Sequence, residues 1–389
     1  MTLRPLACSP PTWLAAIFAL FYFSYGIYLP YWSLWLDSVG VSAHQIGFLL
    51  GLSMLARTLG NLLVMNQVRS AAQLLPMLRL LAWLSMLGFL GFYGAQSGLA
   101  LLLLMLLVNF FYPTLLPLND TLASRYIVQV QLDYGKARLW GSVAFILANI
   151  LVGQVSERFG VHWVLHLLVL ALLGLGLMSL VPVTPKPQPL ADEPAGERLL
   201  AVWRRPGIKR FLLIVALLQG SHAFYYGFSA LYWQQQGYAT STIGYLWGLG
   251  VLAEIVVLAL NRRWFARLSA RHLLALGAAC ALVRWSMLGA TTELGWLIVA
   301  QLLHAGSFCL SHLGAIRYIS CDLAPQVAPS AQALYAALAM GLMVALLFAL
   351  SGQLYPVLAG QVFWLMAALV LPVFWLLRRP LMAVPSCTR

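Results

Sequence analysis

Apolar runs near 20 residues long recur from end to end of this 389-residue chain, each closed by a short polar or charged stretch. A run of that length spans the hydrocarbon of a bilayer as a helix. Lipid-exposed backbone must satisfy its own hydrogen bonds, so each run is expected to be helical. The pattern predicts twelve spans, at roughly 13–36, 43–66, 72–95, 98–123, 137–157, 161–182, 208–235, 241–262, 270–290, 293–318, 330–357 and 360–379. The one long polar interval carries Pro185, Pro187, Pro189, Pro194 and Pro206 among charges, the composition of a flexible joint. The expectation is an all-α membrane protein with a six-helix half at 1–182, a cytoplasmic linker at 183–207 and a second six-helix half at 208–389.

The halves repeat one another. Tyr25-Gly26, Tyr31-Trp32, Gly40, Ile46-Gly47 and Gly51 return as Tyr226-Gly227, Tyr232-Trp233, Gly237, Ile243-Gly244 and Gly248. The offset is 201 up to the tryptophans and 197 after them. A period of half the chain means two copies of a large unit rather than a solenoid. In a membrane chain, duplicated halves are the architecture of a secondary transporter. The pairs Gly47/Gly51 and Gly244/Gly248 are G-x-x-x-G spacings that let helices approach closely. Pro30, Pro113 and Pro117 fall inside spans, where proline bends a helix and frees carbonyls.

Charge changes the picture in two ways. Only 8% of residues are charged, against about 25% in soluble domains. The net charge of +13 would suit a nucleic-acid partner, but its placement speaks for topology. With the N-terminus in the cytoplasm, Arg158 falls on an outer loop and Arg57 and Arg284 inside spans; the other Lys and Arg lie on the cytoplasmic side. That asymmetry obeys the positive-inside rule. It predicts both termini in the cytoplasm, a lipid bilayer as partner and no nucleic acid. Arg4 precedes the first run, but no small-residue cleavage site closes it, so that run is expected to be a retained span. Cys8, Cys280, Cys309, Cys321 and Cys387 have neither outer-face partners nor metal spacing. No metal or cofactor is expected, no nucleophile cluster suggests an enzyme, and nothing calls for an oligomer, so a monomer is expected.

Ionisable groups inside a membrane are costly and mark function by default. Arg57 and Glu254 share one repeat position with opposite sign; Arg284, His304 and His222 also lie within spans. Asp120 sits toward the inner end of span 4 and Arg138 at the inner start of span 5, where the two have the chance to pair. Glu254 beside Arg284 and His304 would suit proton coupling, since imidazole titrates near ~6.5. Arg57 or Arg138 would receive a carboxylate. Tyr31, Trp32, Tyr232 and Trp233 read as interface anchors. Tyr25 and Tyr226 lie deeper and would stack on an aromatic or sugar ring.

The string Asp133-Tyr134-Gly135-Lys136-Ala137-Arg138-Leu139-Trp140-Gly141-Ser142 resembles the lactose-permease branch of the major facilitator superfamily. The resemblance implies that an acid on span 4 pairs with the arginine of this string and touches substrate, which falls on Asp120 and Arg138. It implies coupling roles for the span 9 arginine and span 10 histidine, matched by Arg284 and His304. The branch's carboxylate three residues after that histidine is Ser307 here, and its span 8 carboxylate aligns with Val251, one turn before Glu254. Phe23-Ser24-Tyr25-Gly26-Ile27, Tyr225-Tyr226-Gly227-Phe228-Ser229-Ala230 and Gly244-Tyr245-Leu246-Trp247 are similar to the bacterial 3-phenylpropionate (hydrocinnamate) transporters. The function so implied is proton symport of a small aromatic carboxylate across the bacterial inner membrane by alternating access, with a sugar or nucleoside as the alternative cargo.

Overall fold

In the computed structural model, residues 8–189, 197–379 and 381 are described. Arg4, Pro194, Cys387 and both chain ends, on which part of the orientation argument rests, lie outside them. The helices are α1 (Pro10–Ser38), α2 (Ala43–Met65), α3 (Ala71–Gly94), α4 (Gly98–Val130), α5 (Tyr134–Phe159) and α6 (Trp163–Leu180). They continue with α7 (Ile208–Gln235), α8 (Thr240–Trp264), α9 (Ala270–Ala290), α10 (Leu294–Asp322), α11 (328–358) and α12 (Val362–Leu376).

Short polar residues between the apolar runs set the helix starts. Ser97 accepts from the Ala100 N–H (3.2 Å), and Asp133 from the Lys136 N–H (3.0 Å). Each satisfies a backbone donor that the first turn leaves orphaned. The Lys136 N–H, its ammonium and the Gly135 N–H hold the exposed Asp133 carboxyl below the usual carboxylate range. A lowered native value means this cap is present at neutral pH and is lost only as pH falls through it. Gly40 and Gly237 close α1 and α7 at φ +86° and +90°. Glycine populates that region without steric cost, which explains one repeated residue physically.

By internal packing the chain forms two compact units, Met1–Val39 with Leu55–Glu193, and Gly40–Met54 with Pro194–Arg389. The first turns of α2 group with the second unit because Gly47 lies against the backbone of Gly352 in α11. Large apolar side chains on outer faces, such as Leu103, Leu170 and Trp375, stay exposed, as lipid-facing helices require.

Three expectations change. Pro30 leaves α1 continuous, whereas Pro113 sits in a tighter 3-10 turn, Tyr112–Thr114, within α4. Tyr31, Trp32 and Trp233 are buried rather than sitting as interface anchors. The Tyr31 hydroxyl donates to the Asn149 carbonyl (2.7 Å), and Trp32 stacks on Trp35 (4.7 Å). Helix packing has removed their faces from the boundary that position alone suggested. The described ends of the linker are also tied down, with Tyr126 donating to the Pro185 carbonyl (3.0 Å) and the Glu197 N–H to the Gln326 carbonyl (2.9 Å).

Candidate functional site

In the first unit, Tyr22 and Tyr25 follow one face of α1 at a spacing of three. Tyr25 is half-buried, with Phe21 stacked on it (6.0 Å) and Phe145 beside it (6.2 Å). Tyr28, on the same face, is committed to the core, donating to Asn109 Oδ1 (3.0 Å). The Asp133–Ser142 string earns its composition here. Tyr22 crosses α5 at Gly141, where a Cβ would stand 2.6 Å from its ring. One turn earlier the Arg138 guanidinium lies over that ring at 4.0 Å, a cation–π arrangement.

Asp120 and Arg138 therefore meet indirectly. Tyr134 donates its hydroxyl to Asp120 Oδ1 (3.0 Å), and Arg138 borders the same hydroxyl. The aromatic side chains of Tyr22 and Tyr134 stand where a direct pair was expected. Arg57 is half-buried on α2, in electrostatic reach of Tyr28. Asn119, fully buried next to Asp120, has neither amide end bonded among the described residues.

Gly141→Leu is expected to lower the apparent melting temperature of the detergent-solubilised protein, by the ~1–3 kcal/mol that overpacking costs. Tyr22→Ala should restore much of that loss in the double variant. Equal melting curves for wild type and Gly141→Leu would refute the crossing.

In the second unit the groups converge on Tyr225. Helix α7 bends at Ser221–His222, between helical stretches Ile208–Gly220 and Ala223–Gln235. Trp247 of α8 stacks on the Tyr225 ring (4.6 Å), and the Arg284 guanidinium of α9 lies over it at 4.2 Å. The Tyr225 hydroxyl donates to Gln301 Oε1 of α10 (2.8 Å). One turn on from Gln301, His304 Nε2 meets Glu254 Oε1 of α8 at 2.8 Å.

So the structure brings Glu254, Arg284 and His304 into one cluster, and Glu254 takes its close contact from the imidazole. Arg284 is fully buried and fixed by two donated bonds, Nε to the Ala300 carbonyl (2.9 Å) and Nη1 to Ser307 Oγ (3.4 Å). Ser307 thus fills the aligned carboxylate position as a hydroxyl that accepts from Arg284. His222 bridges Leu218 and Ser307, with Nδ1 at 2.9 Å from the carbonyl and Nε2 at 3.2 Å from the hydroxyl. Tyr226 is half-buried, stacked on His222 (5.8 Å) and edge-on to His304 (6.3 Å).

Directly after His304, α10 widens into π-helical turns at Ala305–Leu310, a distortion frequent at functional sites. Sequence reasoning did not assign Tyr225, Trp247 and Gln301 to the site, although they join the charged groups. The signal in the chain is the polar series Gln301, His304, Ser307 at helical spacing, of which only the histidine is ionisable.

Among the described residues, eleven helices are long and apolar enough to cross a membrane, and costly charged and aromatic groups are buried among them, as in a multi-pass membrane transporter. The model described as "MFS_1 like family" matches residues 12–366, and the chain belongs to that family of the major facilitator superfamily. Among relatives, the "Probable 3-phenylpropionic acid transporter" of Escherichia coli (strain K12) is 44% identical over 378 residues, covering 96% of this chain and 98% of that one. The "Maltose permease" of Geobacillus stearothermophilus is 27% identical over 242 residues, 61% of this chain and 60% of its own. Among solved structures, a point mutant of the nucleoside transporter NupG superposes with a TM-score of 0.83 at 15% identity, covering 95% of this chain and 99% of that chain. An auto-inhibited POT family peptide transporter gives 0.76 at 12% identity, with 98% of each chain covered. At those identities the structures share the fold with this chain.

Proposed function

We propose that this transporter carries 3-phenylpropionate, or a closely related aromatic carboxylate, together with a proton, into the cell across the bacterial inner membrane. The observation that carries the reading is the near-full-length relative at 44% identity, whose name states that acid. The chemistry of the second unit supports it. A buried arginine, amide and imidazole suit a carboxylate, and the half-buried Tyr226 offers a ring face to a phenyl group.

Glu254 and His304 hold the coupled proton. They are joined at 2.8 Å on different helices, so a proton between them changes the charge of a largely buried pair. In the first unit, Tyr25 offers a ring face and Arg57, Asp120 and Arg138 offer polar groups to substrate. No metal or organic cofactor takes part; the proton gradient supplies the work, the chain acts as a monomer, and both termini face the cytoplasm. An anion moving with one proton carries no net charge, so the membrane potential does not oppose its entry as it opposes a lone anion.

The test is uptake of labelled 3-phenylpropionate into proteoliposomes under an imposed pH gradient, acid outside. Accumulation that a protonophore collapses, and that excess phenylpropionate but neither maltose nor uridine competes away, is the expected result. Competition by the sugar or the nucleoside would transfer the site to that class of cargo.

A further inference from the structure

Buried N–H groups without acceptors are rare in folded proteins, because each costs the desolvation of an unmade hydrogen bond. Around Tyr225 they collect. Arg284 Nη2, Gln301 Nε2 and Trp247 Nε1 are each buried without a hydrogen-bond partner among the described residues, and so is His304 Nδ1, which carries a hydrogen only when the ring is protonated. All four side chains touch or adjoin one ring. Arg284 lies over it at 4.2 Å, Trp247 is stacked on it at 4.6 Å, His304 is 5.6 Å away and Gln301 receives its hydroxyl proton.

The orientation of these groups is fixed from behind. Two bonds from Arg284, to the Ala300 carbonyl and Ser307, leave Nη2 without an acceptor in hydrogen-bond geometry, with the Tyr225 hydroxyl as the polar group in reach of the guanidinium. Because the Tyr225 hydroxyl donates to Oε1 of Gln301, the leftover end of that amide is the donor. His304 is aimed by Glu254 through Nε2, leaving Nδ1 free. Guanidinium and primary amide can only donate from these atoms. A cluster of spare donors beside a permanent positive charge is complementary to an anion with several acceptor lone pairs, and a carboxylate is the small organic group that fits.

We infer that Arg284 and Gln301, oriented by Tyr225 and Ser307, form the carboxylate receptor of this transporter within its second unit. This rests on the reading of the protein as a carboxylate transporter and assigns the receptor to α9 and α10. Arg138, by contrast, has its guanidinium spread on the Tyr22 ring and beside Tyr134. A carboxylate on Arg284 lies next to the Glu254–His304 pair. Opposite charges entering one low-dielectric site favour each other, and that preference is reciprocal. Proton and anion thereby bind better together than apart, which is what symport requires.

The experiment measures equilibrium binding to the purified full-length protein in nanodiscs at one fixed pH. The probes are 3-phenylpropionate and its neutral analogue 3-phenylpropanol. Wild type is expected to prefer the acid. Gln301→Leu keeps the volume and removes the donor, and should weaken acid binding about tenfold or more with little effect on the alcohol. Gln301→Glu places an acceptor there and should weaken the acid further. Arg284→Lys keeps a charge without the fork and should also lose acid preference. Size-exclusion profiles and tryptophan fluorescence identify variants that fail to fold, and the two Gln301 variants carry the test if Arg284→Lys is one of them. Wild-type acid preference in both Gln301 variants overturns the receptor while the carboxylate reading stands. A wild-type protein that binds neither probe, or binds both equally, overturns receptor and reading together.

Discussion

Glu254→Gln should abolish accumulation of substrate against its gradient while leaving substrate-for-substrate exchange across the membrane intact. The amide keeps the size of the side chain and an oxygen that can face His304 Nε2, now 2.8 Å from Oε1. It takes up no proton near neutral pH. One proton per substrate across a one-unit pH gradient supports about tenfold accumulation, since 1.4 kcal/mol is a factor of ten. In the variant the ratio should fall to about one, with half-times of counterflow within a few-fold of wild type. Glu254→Asp should sit between, because a carboxylate one methylene shorter keeps the proton and loses the contact. If Glu254→Gln still concentrates substrate tenfold, the proton is held elsewhere. Asp120, the half-buried carboxylate under the Tyr134 hydroxyl, would be the next group to change.

Much of the fold was legible because the membrane leaves the chain few options. Run length set the helices, and Ser97, Asp133, Gly40 and Gly237 marked ends through capping and left-handed backbone. The boundary between α11 and α12 was legible in the chain even though their apolar stretch runs unbroken from 328 to 376; it turns at Ala359, where φ is +46°. The charged members of the cluster around Tyr225 were legible too, since Glu254, Arg284 and His304 stand out against their spans.

Partners were harder to read. Which side chain a charge meets depends on the rotation of two helices about their axes, and hydropathy carries no information on that rotation. Arg138 was expected on Asp120 and lies on Tyr22 instead, because Gly141 lets α1 come close enough for the ring to intervene. Gln301 was invisible for a different reason: it is uncharged, so an inventory of costly ions omits it, although its buried amide is as demanding of a partner as a charge is of a counter-ion.

The same closeness that hides partners makes the packing of α2 fragile. Gly47→Leu is expected to remove most of the monodisperse protein recovered from detergent. A Cβ at Gly47 would stand 2.5 Å from the Gly352 Cα, 2.7 Å from the Phe348 oxygen and 2.8 Å from the Gly352 nitrogen. All three are backbone atoms of one helix, so no side chain can swing aside, and α2 and α11 must part. Gly51, one turn on, meets the Ala345 oxygen at 2.8 Å, which denies the helix a pivot. Gly47→Ala should cost part of the stability, about 1–3 kcal/mol, and Gly47→Leu more than that. Gly98→Ala is the control: it opens α4, its Cβ would meet nothing within 4 Å, and losing a glycine's freedom there should leave stability unchanged or raise it by up to ~1 kcal/mol. Melting curves in one detergent, ordered Gly98→Ala, Gly47→Ala, Gly47→Leu from most to least stable, are the expected outcome. A Gly47→Leu protein that melts with wild type would mean that α2 and α11 do not touch through their backbones, and the grouping of Gly40–Met54 with the second unit would lose its physical basis.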